Sequence, residues 1–412
     1  MSIVSEAVIT SPISVGNVGG FDVGGMALEE PVNHYVVQQI SSPFWNRGKV
    51  NVSYSGPHGK VLADLYRENP NAELVHQTAQ MFMRRYPSDR AFTYNTLVVQ
   101  EIPLRRGSGA SAAARGSTWY TLNALNNAGL SDYGVIKAVA KLEGHWDNIA
   151  PNIYGGYVYI LPEGEEDATL VRHLPIPQHG ELLVIPPFEK QSTDVLRPPV
   201  QRFRADKTVL TSAVYRAGMV FRSTGSLDVS EQEVLNLAHD LTRDAPEDVP
   251  MPYVVEQMQN MVRSLYENHN RRGRMTSAER VATFGENSIN DQTHIKARAE
   301  IRGYGPFDYV DWETLTSIIG RYGGYLRMSG AGPNHVIAFN RATMAEDALD
   351  KIKAQEKDFW RGLGYNPAEL EFIRTRPAYN GTEIRHISRN GHQNHEITVT
   401  KETLEALLPS RY

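Results

Sequence analysis

The sequence predicts an α+β protein, and three observations lead there. Runs with strand character and runs with helix character interleave without a regular β-α-β rhythm, which argues against a doubly wound parallel sheet. The second half carries more helical periodicity than the first. No internal repeat interrupts this mixture, and 412 residues suffice for two or three domains with real cores.

The elements follow in order. Residues 3–9 (IVSEAVI) read as a strand. SVGNVGGFDVGGMAL (Ser14–Leu28) reads as a Gly-rich loop entering an apolar segment, and NVSYSG (Asn51–Gly56) alternates like an edge strand. Asn71–Tyr86 spaces Leu74, Val75, Ala79, Met81 and Met83 as a helix, with Met81 and Met83 most simply in the core. A strand at Thr96–Ile102 precedes a loop of small residues, and a helix is expected over Ser111–Asn127. Ser131 suits the cap of the next helix, whose buried stripe is Val135, Ile136, Val139 and Leu142. Strands follow at Tyr157–Pro162 and Leu182–Pro187 around an acidic turn. Ser230 with Glu233 forms a capping box before a helix, and a second helix covers Pro252–Tyr266. Residues 268–300 are polar and poorly periodic and read as an insertion or a mobile cover. Thr314–Tyr322 and Thr343–Leu363 read as helices flanking a strand–Gly loop–strand unit, YLRMSGAGPNHVIAFN. Asn390–Gly391 signals a hairpin, with a short strand at Ile397–Val399.

Composition narrows the function. Apolar residues make up 41% and charged residues 22%, ordinary for a globular chain. With no cysteine, disulfides, thiolate metal sites and cysteine nucleophiles are excluded. A net charge of −5 without an extended basic run argues against nucleic acid as the main partner. No apolar run reaches the roughly 18 residues a membrane span needs. The segment MSIVSEAVITSP lacks the basic-then-apolar pattern of a secretory leader. The expectation is a cytoplasmic enzyme or binding protein without a membrane or nucleic-acid partner.

Four constellations carry candidate chemistry. The first is PLRRGSGASAAA (Pro103–Ala114), small residues between a strand and an Ala-rich helix. Backbone N–H groups at such a helix start can receive an anion, so Pro103, Arg106, Gly107, Ser108, Gly109, Ala110, Ser111 and Ala112 form a candidate phosphate loop, with ATP as the first ligand to consider. No Gly-Lys-Ser/Thr ends it, so it is not a Walker A loop, and a tight turn packing a helix on a sheet is the alternative. The second is EGHWDNIAPNIYGG, where Glu143, His145, Asp147 and Asn148 crowd a helix end. Carboxylates there suit Mg²⁺, which takes few protein ligands and keeps waters and phosphates; a solvated helix end is the plainer reading. The third is Ser14–Leu28, whose glycines let the backbone approach a small ligand near Asn17 and Asp22, the latter able to receive an ammonium group or hydroxyl. The fourth is MSGAGPNH (Met328–His335) between two strands. His386, His392 and His395 read more simply as polar residues of a hairpin tail than as a metal site.

Taken in order, the four motifs resemble the homoserine kinase branch of the GHMP kinases. Pro12, Ser14, Asn17, Gly19, Gly20, Phe21, Asp22, Gly25, Ala27 and Leu28 fit the first family motif. Pro103, Leu104, Gly107, Gly109, Ser111 and Ala112 fit the ATP loop P-L-x-x-G-L-G-S-S-A. Glu143, Gly144, His145, Asp147, Asn148, Ala150, Pro151, Gly155 and Gly156 fit E-G-H-P-D-N-V-A-P…G-G, and Ser329–Pro333 is the intact S-G-A-G-P. QSTDVLRPPV is similar to a further motif through Thr193 and Arg197. The resemblance covers about residues 3–385 with insertions.

That resemblance implies a GHMP kinase fold: an N-terminal ribosomal-protein-like β/α domain (1–170) and a C-terminal ferredoxin-like domain (171–387, with an insertion at about 225–300), followed by an extension at 388–412. It implies ATP on the loop, Mg²⁺ held by Ser111 and Glu143, and a hydroxy amino acid surrounded by Asn17, Asp22, His145, Asn148, Thr193 and Arg197. Ser111, Glu143 and Asn148 would be the catalytic set. Arg302, with Arg298 as alternative, would grip the substrate carboxylate. The partner would be a small molecule, and a homodimer is compatible with the pattern. The implied activity is γ-phosphoryl transfer to the hydroxyl of homoserine or a related hydroxy amino acid. A ligand-binding regulator without transfer and a decarboxylase-type member are the alternatives. The chain departs from the pattern in four places. The first motif is one residue short, Ala110 replaces the first serine of the ATP loop with Ser108 nearby, Arg105 and Arg106 flank that loop, and Asn334 replaces a threonine.

Overall fold

The computed structural model describes residues 2–20, 22–163, 167–187, 195, 198–200, 207–225, 229–245, 251–267, 275–288, 309–330 and 332–389. Two long antiparallel strands organise it, β1 (Ile3–Gly16) and β2 (Gly24–Ser41). Pro12 has no N–H for the ladder, and the register shifts between it and Ile13. β3 (Lys49–Ser55) lies at the sheet edge and runs parallel to β4 (Phe92–Val99), which pairs with β2. The connection between them carries α1 (Gly59–Glu68) and α2 (Leu74–Arg85), as a parallel pair requires. β5 (Tyr157–Pro162) pairs with the start of β2, and β6 (Ala168–His173) with β5. A second, four-stranded sheet has the order β10 (Glu371–Thr375), β7 (His179–Ile185), β9 (His335–Asn340), β8 (Tyr325–Met328).

The second sheet is covered on both faces. Along β7, Leu183 and Ile185 join one core while Leu182 and Val184 join another. β9 repeats this with Val336 and Ala338 against Ile337 and Phe339. A period of two places alternate residues on opposite faces, so a strand buried on both sides reads as a continuous apolar run. On one side pack α6 (Lys207–Gly225), α8 (Met251–Glu267) and α9 (Ser277–Ser288), with α7 (Glu231–Thr242) beside them. On the other pack α10 (Tyr309–Gly320) and α11 (Glu346–Gly362). A third core lies between the first sheet and α2, α3 (Ala110–Asn126), α4 (Asp132–Glu143) and α5 (Ile149–Tyr154).

Several expectations hold: both predicted caps form, with the Ser131 hydroxyl accepting from Gly134 N at 3.2 Å and Ser230 closing a full capping box with Glu233. Others need correction. The Gly-rich loop is shorter than Ser14–Leu28, because β1 runs to Gly16 and β2 begins at Gly24; Gly16, Gly24 and Gly25 lie in the strands, where they allow close approach of neighbouring chain. The segment 268–300 contains a core helix, α9, whose narrow stripe of Val281, Phe284 and Gly285 was hidden by polar neighbours. Met81 is exposed, since α2 buries Val75, Thr78, Ala79 and Phe82 instead. Helix α1 and a last strand, β11 (Glu383–Arg389), lacked a sequence signal; β11 returns to pair antiparallel with β1 and carries His386 opposite Val8. Residues 390–412, with His392, His395 and the Asn390–Gly391 hairpin, lie outside the described residues.

Candidate active site

The start of helix α3, the β1–β2 turn and the end of helix α4 line one cleft of about 1160 Å³. Gly109 precedes α3 in the left-handed region (φ 63°, ψ 19°), and no side chain caps the helix. A 17-residue helix therefore turns its first N–H groups and the positive end of its dipole toward the cleft that residues 107–112 line. The loop is held from behind by the 329–334 turn. Ser329 Oγ donates to the Gly107 carbonyl at 2.6 Å, and Asn334 N donates to the Arg106 carbonyl at 2.9 Å. Asn334 Nδ2 donates to Ser108 Oγ, so that hydroxyl is buried and engaged. Ser108 is thus a brace of the loop in this structure.

Glu143 is the last residue of α4, which ends where Gly144 turns left-handed (φ 77°). Ser111 Oγ donates to Glu143 Oε1 at 2.5 Å, and Arg115 Nε lies 2.6 Å from the same oxygen. His145 Nε2 is 3.8 Å from Oε2, and His145 Nδ1 is 2.8 Å from Asp147 Oδ1. Burial alone would push the His145 imidazole down, but Asp147, Asp22 and Glu143 together outweigh it and raise it to about 9, so it is charged at neutral pH.

Asp147 is buried and ties the turn in place. Its Oδ2 accepts from Asn17 N at 3.0 Å, and Asn17 Oδ1 accepts from Asp22 N at 2.9 Å. Ser14 Oγ donates to Asn148 Oδ1 at 3.2 Å. Gly25 permits this approach: a Cβ there would stand 1.7 Å from the Asp147 carbonyl oxygen.

Asn17, Asp22, the loop from Pro103 to Ala112, Glu143, His145 and Asn148 therefore meet at one cleft. Thr193, Arg197, Arg298, Arg302 and Phe21 lie outside the described residues. Sequence reasoning passed over Arg115, although its place four residues after Ser111 puts both on one helix face. It also passed over Tyr54 and His58, which line the cleft from the end of β3 and the start of α1. Among the described residues no group of three or more His, Asp or Glu forms a metal cage. Ser111 and Glu143 nonetheless supply adjacent hard oxygens, which suits a Mg²⁺ whose remaining ligands are phosphates and waters.

Residues 73–156 match the family model described as the GHMP kinases N terminal domain. The homoserine kinase of Staphylococcus haemolyticus is 30% identical over 205 residues, which is 49% of this chain and 63% of that enzyme. The chain thus spans under two thirds of the length of that curated relative. The solved homoserine kinase from Cytophaga hutchinsonii superposes with a TM-score of 0.58 over 92% of this chain and 97% of its own, at 15% identity. Galactokinase from Lactococcus lactis, solved with galactose, gives 0.55 over 92% and 95%, at 12% identity. At such identities the likeness is one of fold. The α+β architecture is that of the GHMP kinases, and the sequence is homoserine kinase-like.

Proposed function

We propose that this chain is an ATP- and Mg²⁺-dependent phosphotransferase, acting in the cytoplasm on the hydroxyl of homoserine or a related hydroxy amino acid. The observation that carries the reading is the meeting of the uncapped α3 N-terminus with the Ser111–Glu143 oxygen pair at one cleft. Phosphoryl transfer depends mainly on positioning and charge stabilisation. The backbone N–H groups of residues 110–112 would receive the nucleotide phosphates, and Ser111 and Glu143 would hold Mg²⁺. The chemistry supplied there would be neutralisation of the charge on the phosphates. Residues 1–170 would contribute these groups.

The acceptor side supports an amino acid. A charged imidazole at His145 and the Asp22 carboxylate line the same cleft, a complement to a zwitterion. Asn17 and Asn148 order the floor between them, and Thr193, Arg197 and Arg302 remain assigned by resemblance. Asp147 is committed to Asn17 and His145, which favours a structural role over that of a base.

The test is ³¹P NMR of ATP with a panel of hydroxy amino acids. Glu143→Ala should abolish product formation while circular dichroism stays that of the parent; full activity in that variant overturns the assignment. A second reading, a ligand-binding regulator, is favoured by Ala110 in the loop and by the guanidinium on Glu143. Saturable nucleotide binding without turnover of any alcohol would select it, and mass analysis of the product would reveal decarboxylation.

A further inference from the structure

Arg115 stands one helical turn beyond Ser111 and turns inward, its side chain 12% exposed. Its Nε is 2.6 Å from Glu143 Oε1, the oxygen that also accepts from Ser111 Oγ. The Nε has no aligned hydrogen bond, so the contact is coulombic and not directional. The far end of the guanidinium is fixed to helix α2, where Nη2 donates to Gln77 Oε1 at 2.7 Å and Nη1 to Thr78 Oγ1 at 3.4 Å. On the other side, His145 Nε2 is 3.8 Å from Glu143 Oε2. One carboxylate therefore faces two nitrogen groups before any metal arrives, and the guanidinium is a permanent cation clamped by a neighbouring helix.

A free divalent cation gains little at a carboxylate already matched by a guanidinium, and the guanidinium itself repels it. Nucleotide phosphates change the balance, because their negative charges outnumber the single guanidinium. We propose that Arg115 is a positioning residue that cancels and steadies Glu143, so that the site takes a divalent cation together with nucleotide phosphates and not alone. This rests on the reading of Glu143 as the metal-facing carboxylate. Ser111 Oγ and Glu143 supply the oxygens, Arg115 sets when they are used, and Gln77 and Thr78 keep the guanidinium from swinging away.

The experiment is Mn²⁺ binding to the full chain, followed by the electron paramagnetic resonance signal of free Mn²⁺, without nucleotide and with a non-hydrolysable ATP analogue. Arg115→Gln removes the cation. Gln77→Leu with Thr78→Val keeps the cation but releases its anchor, and so covers the case in which R115Q fails to fold. Without nucleotide, R115Q should bind Mn²⁺ at least about tenfold more tightly than the parent, and the anchor variant should shift the same way by less. With the analogue present the differences should shrink. Glu143→Gln should weaken Mn²⁺ binding in the presence of the analogue. If E143Q weakens that binding while neither R115Q nor the anchor variant tightens nucleotide-free binding, the role of Arg115 is overturned and the metal reading survives. If E143Q leaves binding with the analogue unchanged, the metal reading falls and takes the proposal with it. A structural role alone would move the melting temperature of R115Q but not its nucleotide-free affinity for Mn²⁺.

Discussion

Replacing Gly107 by alanine tests how the loop before helix α3 is held. Gly107 has φ +83°, and a Cβ there would sit 2.3 Å from the Ser329 carbonyl oxygen and 2.9 Å from Gly332 N and O. Those are backbone atoms, so the loop must retreat from the 329–334 turn. The left-handed conformation alone costs an alanine about 1–2 kcal/mol. The retreat also strains three hydrogen bonds, Ser329 to Gly107, Asn334 to Arg106 and Asn334 to Ser108, each contributing about 1 kcal/mol. Gly129 is the matched control: its φ is +74°, but nothing lies within 4 Å of its Cβ position. Gly107→Ala should therefore lose about 3–5 kcal/mol and Gly129→Ala about 1–2 kcal/mol in urea unfolding. The excess of about 2–3 kcal/mol is loop opening, so ATP-analogue affinity measured by calorimetry should fall about 30- to 150-fold in Gly107→Ala alone. Equal destabilisation of the two variants, with nucleotide binding unchanged in both, would refute the argument that the turn holds the loop.

Two further outcomes test the frame around the cleft. Glu181 and Arg327 form a fully buried ion pair at 2.6 Å, with His179 Nε2 2.8 Å from the same carboxylate oxygen. Arg327→Met should cost about 3 kcal/mol by leaving a buried charge poorly matched, and adding Glu181→Gln should recover part of it. A loss below about 1 kcal/mol would mean that His179 takes a proton and replaces the arginine. His173 is depressed to about 4, first by burial and then by the charge of Arg280. Its folded value lies below the unfolded value of about 6.5, so the unfolded chain binds the extra proton between them. This contribution is fully present above about pH 6.5 and is lost as pH falls through that interval, by up to about 3 kcal/mol near pH 4. His173→Phe should flatten that part of the pH–stability curve in urea unfolding; an unchanged slope would contradict it.

Much of this molecule was legible in local sequence. Strand alternation marked β3 at its edge, cap chemistry placed Ser131 and Ser230, and long apolar runs gave β5, β7 and β9. The small residues at 107–112 announced a helix start able to face an anion, because glycine and alanine leave backbone N–H groups accessible. Such signals survive in sequence because they act over a few residues.

What depended on distant chain was not legible. A polar-looking segment became the core helix α9 because Val281 and Phe284 meet a second sheet already apolar on both faces. A weak C-terminal strand, β11, forms because the free edge of β1 is there to template it. Ser108 looked like a spare hydroxyl near the phosphate site until the turn after β8 brought Asn334 against it. Local sequence nominated the groups of the proposed site: the helix start, the carboxylate Glu143 and the hydroxyl Ser111. That Arg115, braced by another helix, shares Glu143 with them follows from packing between helices, because the energy of a charge is set by every neighbour in space and sequence spacing reports only those on its own element.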